Sequence, residues 1–232
     1  MLIDNLDKIR YRMRAAAQRA GRDPDAIRLV AVTKYAPLDA VRALLESGLV
    51  SEAGESRVQD AERRKAELGD LAARVRWRLI GHLQTNKAKK AAVLFDAVDS
   101  VDSLRVARAL NDARPEGGPP LPVMAQVKLT DKESQHCAAP EELAEMIEGI
   151  RALPRLRLEG LMGIAPDLEP VEAVRPAFRR LKELRDRHLP GGLLNMGMSR
   201  DFEIAIEEGA DLVRIGTQIF SQPSPASLEA PA

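Results

Sequence analysis

The stretch LVAVTKYAPLDAVRALLESG, residues 29–48, decides the fold class of this chain. Its opening run, residues 29–34, is mostly apolar and β-branched, which is typical of a buried strand. After Pro37 the chain continues as a charged, amphipathic segment, and proline is favoured at the first positions of a helix. The same pair of segments recurs along the chain, and this alternation predicts parallel strands joined by crossover helices.

The strand-like runs are numerous enough to close a barrel. We identify eight of them, residues 29–34, 51–56, 76–81, 95–100, 122–129, 156–163, 193–199 and 212–217. Helix starts between them are indicated by Pro37, Asp102 with Ser103, Pro140 with Glu141 and Glu142, and Ser199 with Asp201. We therefore expect an α/β fold, a single TIM-type (β/α)8 barrel. A doubly wound open sheet is disfavoured because no strand–turn–helix unit carries G-x-G-x-x-G or a Walker lysine motif.

The two ends of the chain lie outside the strand–helix alternation. Residues 1–22 are basic and carry apolar side chains at helical spacing, namely Ile3, Leu6, Ile9 and Met13. Asp4 and Asp7 disfavour a transit peptide, so we expect an extra, packed N-terminal helix. Residues 1–221 are assigned to one barrel domain, because the alternation continues on both sides of the Pro- and Gly-rich segment 114–122. Residues 222–232 are expected to form a flexible tail.

Composition limits the classes of partner. Lys plus Arg and Asp plus Glu both number 35, so no overall charge favours nucleic acid or an anionic membrane. Cys137 is the single cysteine and the N-terminus lacks the apolar run of a secretory signal, so we expect a cytoplasmic protein. No stretch approaches the ~20 apolar residues of a membrane span. His136 and His188 lack partners at metal-ligand spacing, and no metal site is expected.

Two short sequences are candidates for a phosphate site. In a barrel of this kind the reactive groups lie at the C-terminal ends of the strands, and the loops after strands seven and eight commonly hold phosphate. Those loops contain Gly197, Met198 and Ser199, and Gly216 and Thr217, each combining glycine with a hydroxyl beside a helix start. The alternative is that they are ordinary turn glycines with a serine cap.

Lys34 ends the first strand-like run. Period-two alternation gives it the same face as Val30 and Val32, which would direct it into the barrel mouth. A lysine partly removed from water has its ammonium form disfavoured, so its amine can attack an aldehyde and form an imine. A solvated lysine at a strand end is the alternative.

Arg214 lies within the eighth run and should project inward, because alternation assigns Val213 and Ile215 to the helix-covered face. A buried guanidinium needs a partner. That partner is either a carboxylate, Glu159 or Glu55, or a pyridine nitrogen, which can accept the hydrogen bond that arginine donates.

A dense polar segment, RLIGHLQTNK, follows the third run at residues 78–87. Its His82, Asn86 and Lys87 are open to two interpretations, as members of a site or as surface residues at a helix start.

Six motifs together resemble the pyridoxal-phosphate homeostasis proteins, and their order and spacing match over nearly the whole chain. They are AVTKY (31–35), GESRVQ (54–59), LIGHLQTNK (79–87), RLEGLMGIAP (157–166), MGMSRD (196–201) and VRIGTQIF (213–220). The resemblance implies a barrel like the N-terminal domain of alanine racemases, with pyridoxal 5′-phosphate (PLP) held as a Schiff base on Lys34. It further implies that Arg214 faces the pyridine nitrogen and that Ser199, Gly216 and Thr217 surround the phosphate.

The sequence departs from the family pattern at a few positions. Ser56 and Arg57 stand where the family usually has Asn and Tyr, and Ser221 stands in place of a glycine. A familiar glycine after the fifth strand is replaced around His136 and Cys137. The first departure removes any pocket role that the Asn and Tyr carry.

The family is regarded as a vitamin B6 carrier or regulator without an established reaction, and an amino-acid racemase is the enzyme alternative. A racemase of this kind needs a second acid/base, which in alanine racemases is a Tyr from another domain. Tyr11 and Tyr35 are the tyrosines of this chain, and Tyr35 should point away from the cofactor. The implied partners are PLP itself and PLP-dependent apoenzymes or B6-metabolising enzymes, with the protein a monomer or weak dimer. A Schiff-base aldolase acting on a sugar phosphate is a more distant alternative.

Overall fold

The computed structural model describes residues 1–130 and 137–221, and these form an eight-stranded barrel. The strands are β1 (Arg28–Val32), β2 (Glu52–Glu55), β3 (Arg76–Leu79), β4 (Ala97–Val101), β5 (Leu121–Val127), β6 (Leu156–Gly163), β7 (Leu193–Met198) and β8 (Leu212–Ile215). Each pairs in parallel with the next along the chain, and β8 pairs with β1, so the sheet closes. The expected single (β/α)8 barrel is confirmed.

Helices cover the outside of the barrel. They are α1 (Leu2–Arg19), α2 (Leu38–Glu46), α3 (Val58–Leu68), α4 (Ala88–Leu94), α5 (Leu104–Ala113), α6 (Leu143–Arg151), α7 (Arg175–His188), α8 (Phe202–Glu207) and α9 (Thr217–Phe220). The expected helix starts are present: Pro37 directly precedes α2, and the Ser103 hydroxyl accepts a hydrogen bond from the Val106 N–H at the start of α5. Most buried apolar side chains lie in the layer between these helices and the strands, including Trp77, Phe178 and Phe202.

The barrel interior is partly apolar and partly charged. The apolar part is a separate cluster formed by Val30, Met124, Met162 and Leu212. The charged part centres on Arg78, which is fully buried. Burial opposes the charge of Arg78, but the attraction and hydrogen bonds of Asp99 and Glu52 outweigh it, so the pKa of Arg78 is raised. A salt bridge in such a setting is stable only when both partners are fully hydrogen-bonded.

Several details differ from expectation. In α1, Leu6, Ile9 and Met13 are buried but Ile3 is 52% exposed, and Leu2 packs against the core instead. Strand β1 ends at Val32, so the expectation that Lys34 ends the strand is wrong. The chain turns at that point, as the hydrogen bond from the Ala36 N–H to the Thr33 carbonyl shows.

Some expectations fall on residues that the structure does not describe. The tail at 222–232 and His136 lie outside the described residues. Within the described ranges, no helix combines the length and the apolar character that a membrane crossing requires. The same ranges contain no cluster of three or more His, Cys, Asp or Glu side chains arranged to hold a metal ion.

Candidate functional site

A cavity of about 850 Å³ opens at the C-terminal end of the barrel. Its walls come mainly from the segments that follow β1, β6, β7 and β8, with Ser56, Ile80 and Thr130 added from the ends of β2, β3 and β5. A barrel of this type carries its reactive groups at these strand ends. Lys34, Met198, Ser199, Arg214, Gly216 and Thr217, all of which the sequence indicated, line it together. A largely preformed cavity with few polar groups is the usual form of a small-molecule site.

Lys34 lies at the tip of the turn that follows β1. Its side chain is exposed, which agrees with the solvated lysine, one of the two interpretations of the sequence. The ammonium Nζ lies 5.1 Å from the centre of the Tyr35 ring, within the range of a cation–π contact. Tyr35 is 89% exposed and belongs to the lining of the same cavity.

A buried cluster supports this turn from behind. The Thr33 hydroxyl donates to Oε1 of Glu55 at 2.5 Å, and Arg64 of α3 donates to the Ala36 carbonyl at 3.2 Å. Arg64 also forms an ion pair with Glu55, with Nε and Oε1 2.9 Å apart. Burial raises the pKa of Glu55, although Thr33 and Arg64 partly offset it. The cluster therefore fixes the residues on both sides of Lys34 and Tyr35.

A β-bulge shapes the end of β7. Asn195 pairs with Leu212 and Met198 pairs with Arg214, so β7 has one more residue than β8 over this interval. Gly197 takes up the bulge with φ +92°, and a Cβ there would come 2.5 Å from the Cβ of Ala205. Gly197 does not line the cavity, whereas Met198 does.

The loops after β7 and β8 bring two hydroxyl groups to one side of the cavity. Ser199 follows the bulge, and Thr217 begins the short helix α9. The Gln218 amide donates to the Ser199 carbonyl at 2.7 Å and thereby joins the two loops. Loops after strands seven and eight together with a short extra helix form the usual phosphate site of such barrels.

Asp201 stabilises the first of these loops. Its carboxylate accepts a hydrogen bond from the Met198 N–H at 2.6 Å, and its own N–H donates to the Met198 carbonyl at 3.1 Å. Burial raises the pKa of Asp201, and the backbone of Met198 and of Asp201 itself, together with the charge of Arg214, partly offsets the rise. The sequence had indicated Asp201 as part of a helix start, and it is indeed the residue before α8.

Arg214 projects into the barrel, as alternation predicted. It is 3% exposed and lines the cavity. Its hydrogen bonds go to the Asn195 carbonyl (2.9 Å), the Asn195 side-chain oxygen (2.5 Å) and the Gly163 carbonyl (2.9 Å), and not to Glu159 or Glu55. Burial lowers the pKa of Arg214 to about 10, partly offset by the charges of Asp99 and Asp201. Sequence reasoning missed Asn195, because a lone polar residue in a strand carries no sign of its partner.

Of the polar segment after β3, Ile80 lines the cavity, whereas His82, Asn86 and Lys87 do not. His82 pairs with Asp102, with Nδ1 and Oδ2 2.8 Å apart, and Asn86 and Lys87 belong to a short 3₁₀ turn, Thr85–Lys87. These residues are surface residues near a helix start, which was one of the two interpretations. Of the positions that depart from the family pattern in this part of the barrel, Ser56 lines the cavity and Arg57 does not.

Comparison with known proteins first establishes the class. The sequence model of the family described as "Alanine racemase, N-terminal domain" matches residues 5–223. An alanine racemase of Clostridium difficile 630 aligns with a TM-score of 0.71 at 16% identity, over 97% of this chain and 57% of that chain, which shows the fold alone. The protein is therefore a barrel of the alanine racemase N-terminal-domain class.

Closer relatives narrow this class to one family. Proteins called "Pyridoxal phosphate homeostasis protein" are 44% identical over 220 residues in Pseudomonas aeruginosa, covering 94% of each chain, and 40% identical over 223 residues in Escherichia coli K12, covering 93% of this chain and 94% of the relative. PipY of Synechococcus elongatus, solved with PLP bound, aligns with a TM-score of 0.82 at 32% identity, over 95% of this chain and all of that one (100%). The chain belongs to the pyridoxal phosphate homeostasis protein family.

Proposed function

We propose that this protein binds PLP in the cavity at the C-terminal end of the barrel and acts in intracellular vitamin B6 homeostasis, as a carrier or regulator. One observation carries the proposal: a primary amine, two hydroxyls and a buried guanidinium, from Lys34, Ser199, Thr217 and Arg214, line one cavity. Relatives named for pyridoxal phosphate homeostasis and the PLP complex of PipY support it.

The residues present fit the chemistry of this cofactor. PLP, when bound, supplies an aldehyde that condenses with a primary amine, a phosphate and a pyridine nitrogen that accepts hydrogen bonds. Lys34 offers the amine and is exposed to the cavity. Ser199 and Thr217 offer hydroxyl donors beside the start of α9, where a phosphate is favoured.

Arg214 completes the fit. A guanidinium has five N–H donors, of which the bonds to Asn195 and Gly163 use three. The remaining donors are available to an acceptor in the cavity that Arg214 lines. Because an arginine this basic stays protonated near neutral pH, it can donate to the pyridine nitrogen but does not give up a proton to it.

The proposed division of roles follows from these groups. Lys34 holds the cofactor covalently as a Schiff base, and Arg214 keeps the ring nitrogen unprotonated. Ser199, Gly216 and Thr217 bind the phosphate, while Gly197 and Met198 set the course of the loop that carries Ser199. The barrel domain at residues 1–221 is the binding unit, PLP-dependent apoenzymes or B6-metabolising enzymes are the partners, and the protein works as a monomer or weak dimer in the cytoplasm.

We propose no robust catalytic turnover. A neutral pyridine is a weak sink for negative charge, and the Arg214 setting favours that neutral form. An amino-acid racemase is the second candidate, because Tyr35 lines the cavity beside Lys34 and offers a phenol as a second acid/base. Incubation with enantiopure amino acids separates the two: racemisation that depends on the protein and is lost in Tyr35→Phe would favour the enzyme.

Trapping of the cofactor tests the binding proposal. The purified protein is saturated with PLP, its visible absorbance is recorded, and borohydride reduction is followed by mapping of the labelled peptide. We expect the label on Lys34, loss of the absorbance band in Lys34→Ala and no change in Lys89→Ala, a matched exposed lysine on α4. A label on another lysine, with the band retained in Lys34→Ala, would refute the assignment.

A further inference from the structure

Asn195 links Arg214 to a chain of buried polar groups that crosses the barrel. Its side-chain Nδ2 donates to Asp99 Oδ2 at 2.8 Å, and its Oδ1 accepts from Arg214 Nη1 at 2.5 Å. Both oxygens of Asp99 also accept from Arg78, at 2.7 and 2.8 Å. Asp99 and Asn195 are each 0% exposed. Since β4 and β7 are not neighbours in the sheet, the contact between these two residues spans the interior.

This chain of contacts fixes the orientation of the Asn195 amide. A carboxylate accepts hydrogen bonds and cannot donate them, so the NH₂ group must face Asp99. The amide oxygen therefore faces Arg214. A flipped amide would set its NH₂ group against the guanidinium and its oxygen against the carboxylate, and both contacts would be repulsive.

The oriented amide in turn fixes the guanidinium of Arg214. Nη1 donates to both oxygens of Asn195, and Nη2 donates to the Gly163 carbonyl at the end of β6. Three hydrogen bonds donated by one planar guanidinium leave that group little rotational freedom. They leave Nε–H and one Nη2–H for the cavity that Arg214 lines.

Asn195 also keeps a carboxylate from occupying the guanidinium. Asp99 contacts Asn195, and it forms a salt bridge with Arg78. A neutral amide holds Arg214 in place without competing for its charge, so the free donors can be used by an acceptor from outside.

We propose that Asn195 is a positioning residue, which orients Arg214 so that its remaining donors select a ring-nitrogen acceptor in the cavity. The inference rests on the proposed function, in which that acceptor is the pyridine nitrogen of PLP. The selectivity for a ring-nitrogen acceptor depends on both residues, because Arg214 supplies the N–H donors and Asn195 orients them.

A pair of ligands that differ at one ring atom tests this role. PLP and its 1-deaza analogue share the aldehyde and the phosphate, but the analogue has C–H in place of the ring nitrogen. We expect the parent protein, freed of cofactor, to prefer PLP by about tenfold or more, as a charged hydrogen bond allows. In Asn195→Ala the preference should fall to about twofold or less, mainly through weaker binding of PLP.

Controls distinguish positioning from general stability. Asn111→Ala removes a buried asparagine of α5 whose oxygen accepts from the Arg155 N–H, and it should lower the melting temperature while keeping the preference. If Asn195→Ala does not fold, Asn195→Ser is tested in its place. The short serine hydroxyl cannot bridge Asp99 and Arg214, so Asn195→Ser should also lose the preference for PLP. A folded Asn195 variant that keeps the parent preference overturns the inference but not PLP binding. A parent protein that binds neither ligand overturns the proposed function and this inference with it.

Discussion

At the scale of single residues, the site combines an exposed amine with buried supporting charges. Lys34 is accessible from the cavity. Two other charged residues are buried: Glu55 lies behind the turn that carries Lys34, and Arg214 lies in the cavity wall. An exposed lysine reaches an incoming aldehyde without a large structural change. The buried groups hold the backbone and the far wall of the cavity in place, which limits the freedom lost when a ligand binds.

The two hydroxyls should account for much of the affinity for the phosphate group. In the double variant Ser199→Ala/Thr217→Ala, each lost hydrogen bond to a charged group costs roughly 1.5 kcal/mol, at the lower end of the usual range because Thr217 is exposed. We expect PLP to bind about 100-fold more weakly and unphosphorylated pyridoxal to bind almost unchanged. Isothermal titration with both ligands measures this. Equal losses for the two ligands would contradict a phosphate role, and Thr85→Ala, outside the cavity, serves as the control.

Glu55 predicts a pH dependence of stability. Burial raises its pKa above the ordinary 4.5, so the folded protein takes up a proton there more readily than the unfolded chain. Its contribution to the free energy of unfolding is therefore favourable at low pH and is lost as pH rises from about 4.5 through the raised pKa. We expect the wild type to lose stability relative to Glu55→Gln over this window, measured by urea unfolding at several pH values. Asp201, also raised, cancels in the difference because both proteins contain it. A difference that does not change with pH would contradict the argument.

At the scale of elements, the β7 bulge determines where the phosphate loop lies. The extra residue between Asn195 and Met198 moves Ser199 to the cavity edge and leaves Gly197 in a left-handed conformation. A side chain at Gly197 meets both a backbone restriction and the Cβ of Ala205.

Two glycine substitutions separate these effects. Gly197→Ala should destabilise the protein by about 2–4 kcal/mol, because strain at positive φ adds to the steric clash. Gly191→Ala, at φ +79° with nothing within 4 Å of its Cβ, should cost roughly 1 kcal/mol. Thermal and denaturant unfolding of both variants measures the difference. Equal losses would mean that the packing against Ala205 relaxes freely.

At the scale of the whole molecule, the barrel interior relies on an ion network as well as on apolar packing. Arg78 contacts Asp99 and Glu52, and Arg28 extends the network from Glu52 toward the start of β1. A network of this kind holds strands β1, β2, β3, β4 and β7 in one arrangement, since its members come from all five.

Removal of one partner from this ion network should therefore lower the free energy of unfolding by several kcal/mol, as breaking a buried ion pair usually does. Asp99→Asn leaves Arg78 without its bidentate carboxylate, and breaking a buried pair costs about 3–5 kcal/mol. The exposed pair of Lys90 and Glu62 is the matched control, and Glu62→Gln should cost roughly 0–1 kcal/mol. Urea unfolding of both variants tests this, and a loss below about 1 kcal/mol in Asp99→Asn would show that Glu52 alone can neutralise Arg78.

Local sequence patterns were sufficient for the architecture and for six of the residues that line the cavity. Strand–helix alternation, proline and serine at helix starts, and hydroxyls after the last two strands are determined by nearby residues, so Ser199, Arg214 and Thr217 could be assigned to one end of the barrel. The exact end of β1 could not, because Thr33 is β-branched and fits a strand as well as the turn it begins.

What the sequence alone determined is thus the barrel and several of the residues that line its mouth. What only the tertiary structure decided is which buried groups meet inside. The amide of Asn195 reaches Asp99 across 96 residues of sequence, and Arg64 of α3 supports the turn that carries Lys34. Such partners depend on which strands face each other after the sheet closes, and on which helix covers a given turn. Closure is a property of the whole chain, whereas periodicity and capping are properties of a few neighbouring residues.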